Sequence, residues 1–521
     1  MKTKRQRLAT LAAALCLVLT ATLPGCRKEP EWKINDTIIS LASFNMTRPE
    51  DPYADFVKDK FGVKFVTKTY SFSSWEEQVD TDVNTNSTYD VFQWDLRQWS
   101  FPKLKRWANN GAIRPLPDDL SPYPNIQKIV KEATGSEYMR IDGKLYALPV
   151  IYNINETDWD YLEGGYLYRR DWAKQYGVYK ENDIYTIEEF EAVLKAFKDN
   201  DPLGKNTTIP FADTEWAFPA SVMNYYRGTP HSYEFDAAKN KYVWAYTTPG
   251  YTYGLNKMRD YREKGWLWPD QYSARDGTAQ GLFTKGRVGV LFEHLAQGIY
   301  NSIRTGFAAG NPGVNLEDGT ALMKVLGPDG KFPVERQHNW YSASLFSAHV
   351  SDTKIAKVLE ILDWLLSEEG TLFCTYGFEG IDYEKDGAGN ITAHWETDNR
   401  GNPIQRQMWP RALRFMASVG NDALNDPMVT DASKQRYKEF REFLVEYGKG
   451  MQFDAQMQWV SAPNKDLYGM FITEARSAAT RFVFETNATK ALNDWNAFNN
   501  GSKLTEYTAV LNEINTAMGL V

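Results

Sequence analysis

Cysteine is scarce in this chain, with three in 521 residues. Cys16 falls inside an apolar leader and Cys26 ends it, so Cys374 stands alone in the folded part and no disulfide can form there. Cys374 follows Leu372 and Phe373 and reads as a small buried apolar residue, not a nucleophile. Histidine is scarce too: His231, His294, His338, His349 and His394 show no paired spacing for a zinc site. There is no Gly-x-Ser-x-Gly elbow, no phosphate loop and no ~34-residue period of a helical repeat. Beyond the leader no run approaches the ~18–20 apolar residues of a membrane-spanning helix. Basic residues are outnumbered, 59 against 67 acids.

The leader has a basic start (Lys2, Lys4, Arg5, Arg7), an apolar stretch from Leu8 to Leu23, and Leu23-Pro24-Gly25-Cys26 at its end. This is the pattern of a signal peptide over residues 1–25. Its end resembles a bacterial lipobox, which implies cleavage before Cys26 and acylation of that residue. Ordinary secretion with an incidental cysteine is the alternative. Loss of 1–25 removes four basic residues and no acid, leaving 55 basic residues against 67 acids, a net charge of −12. That balance disfavours nucleic acid or an anionic polymer as ligand, because either needs a basic stripe. Residues 26–36 read as a lipidated tether in which Trp32 has little role.

What the chain has in abundance is aromatic: 17 Trp, 30 Tyr and 27 Phe, 14% of all residues. Such a content serves either a very aromatic core or flat rings offered to a ligand. Strands are expected at 38–42, 63–66, 89–92 and 288–292. Amphipathic helices are expected at 51–61, 75–83, after a Thr186-to-Glu189 capping box, and at 353–366. Strand–helix–strand order predicts parallel α/β sheets.

Several local patterns recur in a set order. They are Asn110-Gly111-Ala112-Ile113-Arg114-Pro115-Leu116, Asp142-Gly143-Lys144-Leu145-Tyr146-Ala147-Leu148-Pro149, and Tyr168-Arg169-Arg170-Asp171-Trp172. Further on come Phe283-Thr284-Lys285-Gly286-Arg287-Val288-Gly289 and Gly377-Phe378-Glu379-Gly380-Ile381-Asp382-Tyr383. Behind a lipobox, this set resembles the family 1 extracellular solute-binding proteins of ABC importers, in particular the large sugar-binding lipoproteins of Gram-positive polysaccharide uptake. The resemblance implies a two-lobed, type II periplasmic-binding-protein-like α/β fold whose lobes are joined by crossing strands. It places 37–149 with 340–405 in an N-terminal lobe and 150–339 with 406–521 in a C-terminal lobe, with crossings near 150–153, 340–344 and 400–410. It implies a carbohydrate, in all expectation an oligosaccharide, delivered to the permease subunits by a monomer held at the membrane through its lipid. No cofactor is expected. Some relatives carry a calcium loop after the helix ending at Asp199; here Asp199, Asp201, Gly204 and Asn206 lack its spaced acids, and a plain turn is expected.

A pyranose offers apolar faces and a rim of hydroxyls, which suit aromatic rings and Asp, Glu, Asn or Arg respectively. Ligands of α/β lobes sit at the carboxyl ends of strands. By position, the candidates are Asn45 (with Phe44), Trp94, Asp95, Trp99, Tyr152, Asn153, Trp216, Glu293 (with His294), Trp340, Trp409 and Arg411. Trp107, Trp172, Trp266, Trp268, Trp364 and Trp495 lie among apolar partners and are expected in the core. Two other classes stay open. One is a secreted glycoside hydrolase, for which Asp95 and Glu293 are a nominal carboxylate pair. The other is a glycan-binding surface lipoprotein without a transport role.

Overall fold

The computed structural model describes residues 31–96, 100–151, 164–214, 233–275, 277–293, 297–334, 339–387, 389–396, 408–419, 431–450 and 467–520. Two hydrophobic cores divide them. The first gathers side chains from 39–148, 340–374 and 408–417; the second gathers 166–332 and 443–514.

The first core lies on a mixed sheet of β1 (Ile38–Ser43), β2 (Lys64–Thr69), β3 (Val91–Trp94), β4 (Ile113–Arg114), β5 (Leu148–Ile151) and, from far along the chain, Trp340–Ser347. β2, β1 and β3 run parallel, and Trp340–Ser347 runs antiparallel to β3, β4 and β5. β1 is buried from Ile39 onward and β3 throughout, as strands covered on both faces must be. The helix Pro52–Phe61 starts where the Asp51 carboxylate accepts from the Ala54 amide at 2.6 Å and stops at Gly62, whose φ of 65° is the left-handed cap that glycine adopts freely. Helix Asp352–Leu366 buries Ile355, Val358, Leu359, Leu362 and Leu365 against this sheet.

The second sheet holds β6 (Gly165–Arg169), β7 (Ile184–Tyr185), β8 (Ile209–Asp213), β9 (Val288–Glu293) and β10 (Thr320–Val325) in the order β8-β9-β6-β10-β7. Trp340–Ser347 is hereafter β11. The capping box at Thr186 is formed in both directions and launches helix Ile187–Asn200, which turns Phe190, Val193, Leu194 and Phe197 inward. The C-terminal helices Leu467–Phe484, Ala488–Asn499 and Ser502–Ala517 close the far side of this lobe. Asn515 is tied to the backbone of Tyr242 by two hydrogen bonds (2.8 and 3.0 Å), and Phe471 packs 4.2 Å from Trp244.

Two expectations are corrected here. A boundary at 405/406 falls too early: Met408, Trp409, Leu413, Met416 and Ala417 pack in the first core, because the apolar face of helix Trp409–Arg414 fits between β2 and the Pro52–Phe61 helix. The second correction concerns the tether. Residues Glu31–Ile34 form a helical turn docked on the first lobe, with the Trp32 ring 5.0 Å from Tyr89 and Lys33 buried, its ammonium on the Asn86 carbonyl.

The docking point is a buried ion pair. The Lys354 Nζ lies 3.1 and 3.2 Å from the two Asp90 oxygens, and also donates to the carbonyls of Trp32 (3.2 Å) and Lys33 (3.3 Å). Asp90 accepts in turn from the Ser40 amide at 2.7 Å. The pair therefore joins β1, β3, the Asp352–Leu366 helix and the N-terminal turn. Cys374 is buried as expected, its thiol pushed up to about 12 by that burial. Replacing Lys354 by Met leaves the buried Asp90 carboxylate without its ammonium partner, with the Ser40 amide and His349 Nε2 (3.4 Å) as its remaining neighbours, and urea unfolding should show a loss of roughly 3–5 kcal/mol; a loss under about 1 kcal/mol would mean that the pair does not hold the lobe together.

Candidate functional site

Strand register puts the carboxyl ends of both sheets at the junction of the lobes. The chain leaves the first lobe after Ile151 and returns at Trp340, and these two residues are cross-strand partners. Ala343 lies opposite Trp94, so β3 ends on the same side, as does β1, its parallel neighbour. In the second lobe Gly165 opens β6 and pairs with Glu293, the last residue of β9, while parallel β8 ends beside it at Asp213. A Cβ at Gly164 would meet the Phe292 ring at 2.4 Å, so any larger residue there requires that ring to move. Asn45, Asp95, Asp213 and Glu293 thus stand at strand ends facing the junction, the usual ligand position in open α/β sheets.

Three chain segments meet at this junction and are laced to one another. The Ile151 amide donates to the Ala417 carbonyl (3.0 Å), and the Val419 amide donates back to the Ile151 carbonyl (2.8 Å). Just before this, residues 415–416 cross a face of the first sheet, where Gln93 Nε2 donates to the Phe415 carbonyl (3.0 Å) and Ser344 Oγ to that of Met416 (2.5 Å). Ser43 Oγ donates to Gln93 Oε1 at 2.6 Å, which orients the amide. Between Trp340 and Ser342 the register of β11 shifts, a bulge at the root of the connection.

The described surface at the end of the first lobe is aromatic and polar. Phe72 is 63% exposed and meets Phe44 edge-on at 5.2 Å; Phe44 in turn packs on Trp75 (4.7 Å) and Phe415 (5.4 Å). Asn45, next to Phe44, is exposed, and its amide donates to Ser43 Oγ. Asp95 is buried, its carbonyl accepting from Ser100 Oγ at 3.1 Å. In the other lobe Asp213 is fully buried, and the Gln271 side chain clamps its backbone on both sides (3.1 and 2.8 Å). Glu293 is buried beside it. A void of about 10 Å³ inside the first core, between Ile39, Phe65 and Met416, is too small for a sugar ring.

Four candidates are drawn elsewhere. The Trp94 ring is inaccessible and packs 4.4 Å from Trp107. The Trp340 ring is equally buried, its Nε1 donating to the Thr134 carbonyl (2.9 Å) at the end of helix Pro124–Glu132. Trp409 lies 4.6 Å from Phe65, with its Nε1 on the Thr47 carbonyl and its amide on Asp51. Arg411 donates to the carbonyls of Cys374 and Thr375, both at 2.6 Å, and so closes the end of helix Glu368–Tyr376. These are packing and capping roles. Trp107, Trp172, Trp266, Trp268 and Trp495 are buried as expected, and Trp364 is half-buried against the first core. Cys26, Trp99, Tyr152, Asn153, Trp216 and His294 lie outside the described residues.

Phe72, Asp213 and Gln271 were not among the expected residues. Asp213 carries the same signal as Asp95, an acid directly after an apolar run (Ile209–Ala212). Phe72 follows β2 within three residues. At the turn after helix Ile187–Asn200, Asp199 faces Lys195. The Asp201 carboxylate accepts from the amides of Asn206 (2.6 Å) and Thr208 (3.2 Å). The bonds from Thr208 and Asn206 hold its pKa below the usual value.

A family model described as bacterial extracellular solute-binding protein matches residues 53–377. The polygalacturonan/rhamnogalacturonan-binding protein YtcQ of Bacillus subtilis (strain 168) is 25% identical over 301 residues, 56% of either chain. Lipoprotein LipO of the same organism is 24% identical over 293 residues, 53% of this chain and 54% of its own. The chain thus spans about half the length of the curated relatives it matches. Among solved structures, the alginate-binding protein AlgQ2 shares the fold with a TM-score of 0.66 at 17% identity, over 94% of this chain and 99% of that one. FusA, an ABC-transporter substrate-binding protein of S. pneumoniae in complex with kestose, does so with a TM-score of 0.62 at 17% identity, over 93% and 97%. With two α/β lobes, strand ends turned to a laced junction and a family match over more than half its length, the chain belongs to the bacterial extracellular solute-binding proteins, which are binding components and not enzymes.

Proposed function

We propose that this protein captures an oligosaccharide at the junction of its lobes and delivers it to the permease of an ABC importer, held at the membrane by acyl chains on Cys26. The observation that carries the reading is an exposed ring, Phe72, held edge-on by Phe44 beside the exposed Asn45 at the strand ends of the first lobe. A sugar ring needs that combination: a flat apolar partner for its C–H face and acceptors for its hydroxyls. Relatives point the same way, one named for polygalacturonan and another bound to kestose. Asn45 is exposed beside Phe44, and Asp95, Asp213 and Glu293, buried as they stand, are proposed as further polar contacts on their strand-end positions. Trp99, Tyr152, Asn153 and Trp216 are proposed as further contacts on their sequence positions alone. The protein acts as a monomer, and closure of the lobes over ligand presents one shape to the permease.

A panel of oligosaccharides screened by thermal shift should contain at least one that raises the melting temperature and changes Trp fluorescence while remaining intact. Release of reducing ends, abolished by substitution of Asp95 or Glu293, would contradict the binding role. Phe72→Ala should weaken that ligand by about tenfold, ~1–2 kcal/mol, with unchanged melting of the free protein. Trp94→Ala should instead lower stability by roughly 3–5 kcal/mol, as loss of a core ring does; the opposite pattern would exchange the roles of the two rings. Cys26→Ala should move the protein from the membrane fraction to the medium, and continued membrane attachment would refute the anchor.

A further inference from the structure

We propose that Tyr272 forms an outer sugar subsite of the second lobe, a ring on which a unit of a longer oligosaccharide stacks away from the hinge. The inference rests on the carbohydrate reading above and adds to it a contact residue and a preference for longer chains. Among the described residues five aromatic rings are exposed: Phe56, Phe72, Phe235, Tyr253 and Tyr272. A single exposed ring is ordinary on a protein surface, so position decides. Phe56 and Tyr253 lie within helices Pro52–Phe61 and Pro249–Glu263, and Phe235 sits on a two-stranded ribbon against Tyr242. Phe72 and Tyr272 stand at the junction side of the two main sheets.

Backbone pairing puts Tyr272 there. After helix Pro249–Glu263 the chain turns at Gly265 (φ 68°) and runs parallel to β8. The Phe211 amide donates to the Trp266 carbonyl (2.9 Å), and the Trp268 amide to the Phe211 carbonyl (2.8 Å). A parallel course leads to the carboxyl end of β8, where the Gln271 side chain binds the backbone of Asp213, the last residue of that strand. Tyr272 comes next and is 58% exposed. Its ring lies 5.7 Å from that of Phe484, the last residue of helix Leu467–Phe484. The buried Arg259 holds this helix end through the carbonyls of Phe482 (2.8 Å) and Glu485 (2.7 Å). Tyr272 is therefore backed by a fixed ring and open on its other side, as Phe72 is backed by Phe44. A tyrosine ring offers a flat apolar face with a hydroxyl at its tip, which suits a sugar face and its rim.

The place of the ring in the sheet sets which sugar unit it meets. The 266–268 stretch lies outside β8, with β9 and then β6 following inward. A unit bound at the end of β9, beside β6, is two strand spacings from that stretch, roughly 10 Å. Tyr272 is thus reached by a further unit of the same chain. In the first lobe Phe72 follows β2, the outermost strand of its own sheet.

The test is calorimetric titration of the full-length protein with fructo-, gluco-, manno- and galacto-oligosaccharides and oligogalacturonates, each from the disaccharide to the hexasaccharide. The expected result is a series whose affinity rises with length. Tyr272→Ala should weaken its longest member by about tenfold and leave the shortest member that binds within about twofold. Tyr272→Leu, which keeps an apolar contact for Phe484 but no flat ring, is the second variant and should show the same loss. Tyr272→Phe should keep most of the affinity. Melting curves of the free variants report folding. Folded Ala and Leu variants that bind the longest member as tightly as the unaltered protein would overturn the inference while leaving the carbohydrate reading intact. An equal loss at every length would put Tyr272 in the inner site and overturn its outer place. Binding of no series at all would overturn both.

Discussion

The connection between the two lobes depends on the hydrogen bonding of one residue, Ile151. On one side its strand pairs with β11 through Trp340; on the other its amide and carbonyl bond Ala417 and Val419. Those bonds hold three chain segments, at 151, 340 and 417–419, side by side where the lobes connect. A single connection would be a swivel. Three laced together leave bending as the easy motion, the hinge closure by which two-lobed proteins surround a ligand. The side chains that fix the lacing, Gln93 and Ser344, reach backbone carbonyls from within the first sheet, so the hinge is built into the floor of one lobe.

The aromatic abundance has a divided explanation. Most of the tryptophans fill the two large cores, and several also fasten distant segments through their indole N–H: Trp340 to Thr134, Trp409 to Thr47, Trp75 to the carbonyl of Gln93. Burying a Trp with its N–H paired contributes both area and direction, which suits lobes whose chain leaves and comes back. Among the described residues, a ring exposed at the junction is Phe72, in a short turn and supported edge-on by Phe44. Composition therefore says more about how these lobes are assembled than about what they bind.

Local signals in the sequence were reliable where physics acts locally. The Thr186 capping box, the Asp51 cap before Pro52 and the apolar spacing of 353–366 each mark a helix now seen at those positions. The two-lobed α/β fold was legible from ordered motifs. The direction of individual rings was not. β3 is buried on both faces, so the place of Trp94 at the end of that strand cannot distinguish a ring aimed at the junction from one aimed at helix Phe101–Asn109, where Trp94 in fact packs. Trp409 is fixed by a carbonyl 362 residues away, and the docked turn at Glu31–Ile34 by a lysine more than 300 residues on. Contacts of that range leave no mark in nearby sequence. The strand-end positions of Asn45, Asp95 and Glu293 were legible because strand ends are a backbone property, readable from apolar runs.

The central claim is that ligand is held between two lobes that close on a laced hinge. Small-angle X-ray scattering of the free protein and of the protein saturated with a thermally stabilising oligosaccharide tests it most directly. The account predicts a smaller radius of gyration in the complex and a scattering curve fitted by rotation of two rigid lobes about residues 151, 340 and 418. An unchanged curve at saturation would contradict it, because binding would then occur without the lobes moving.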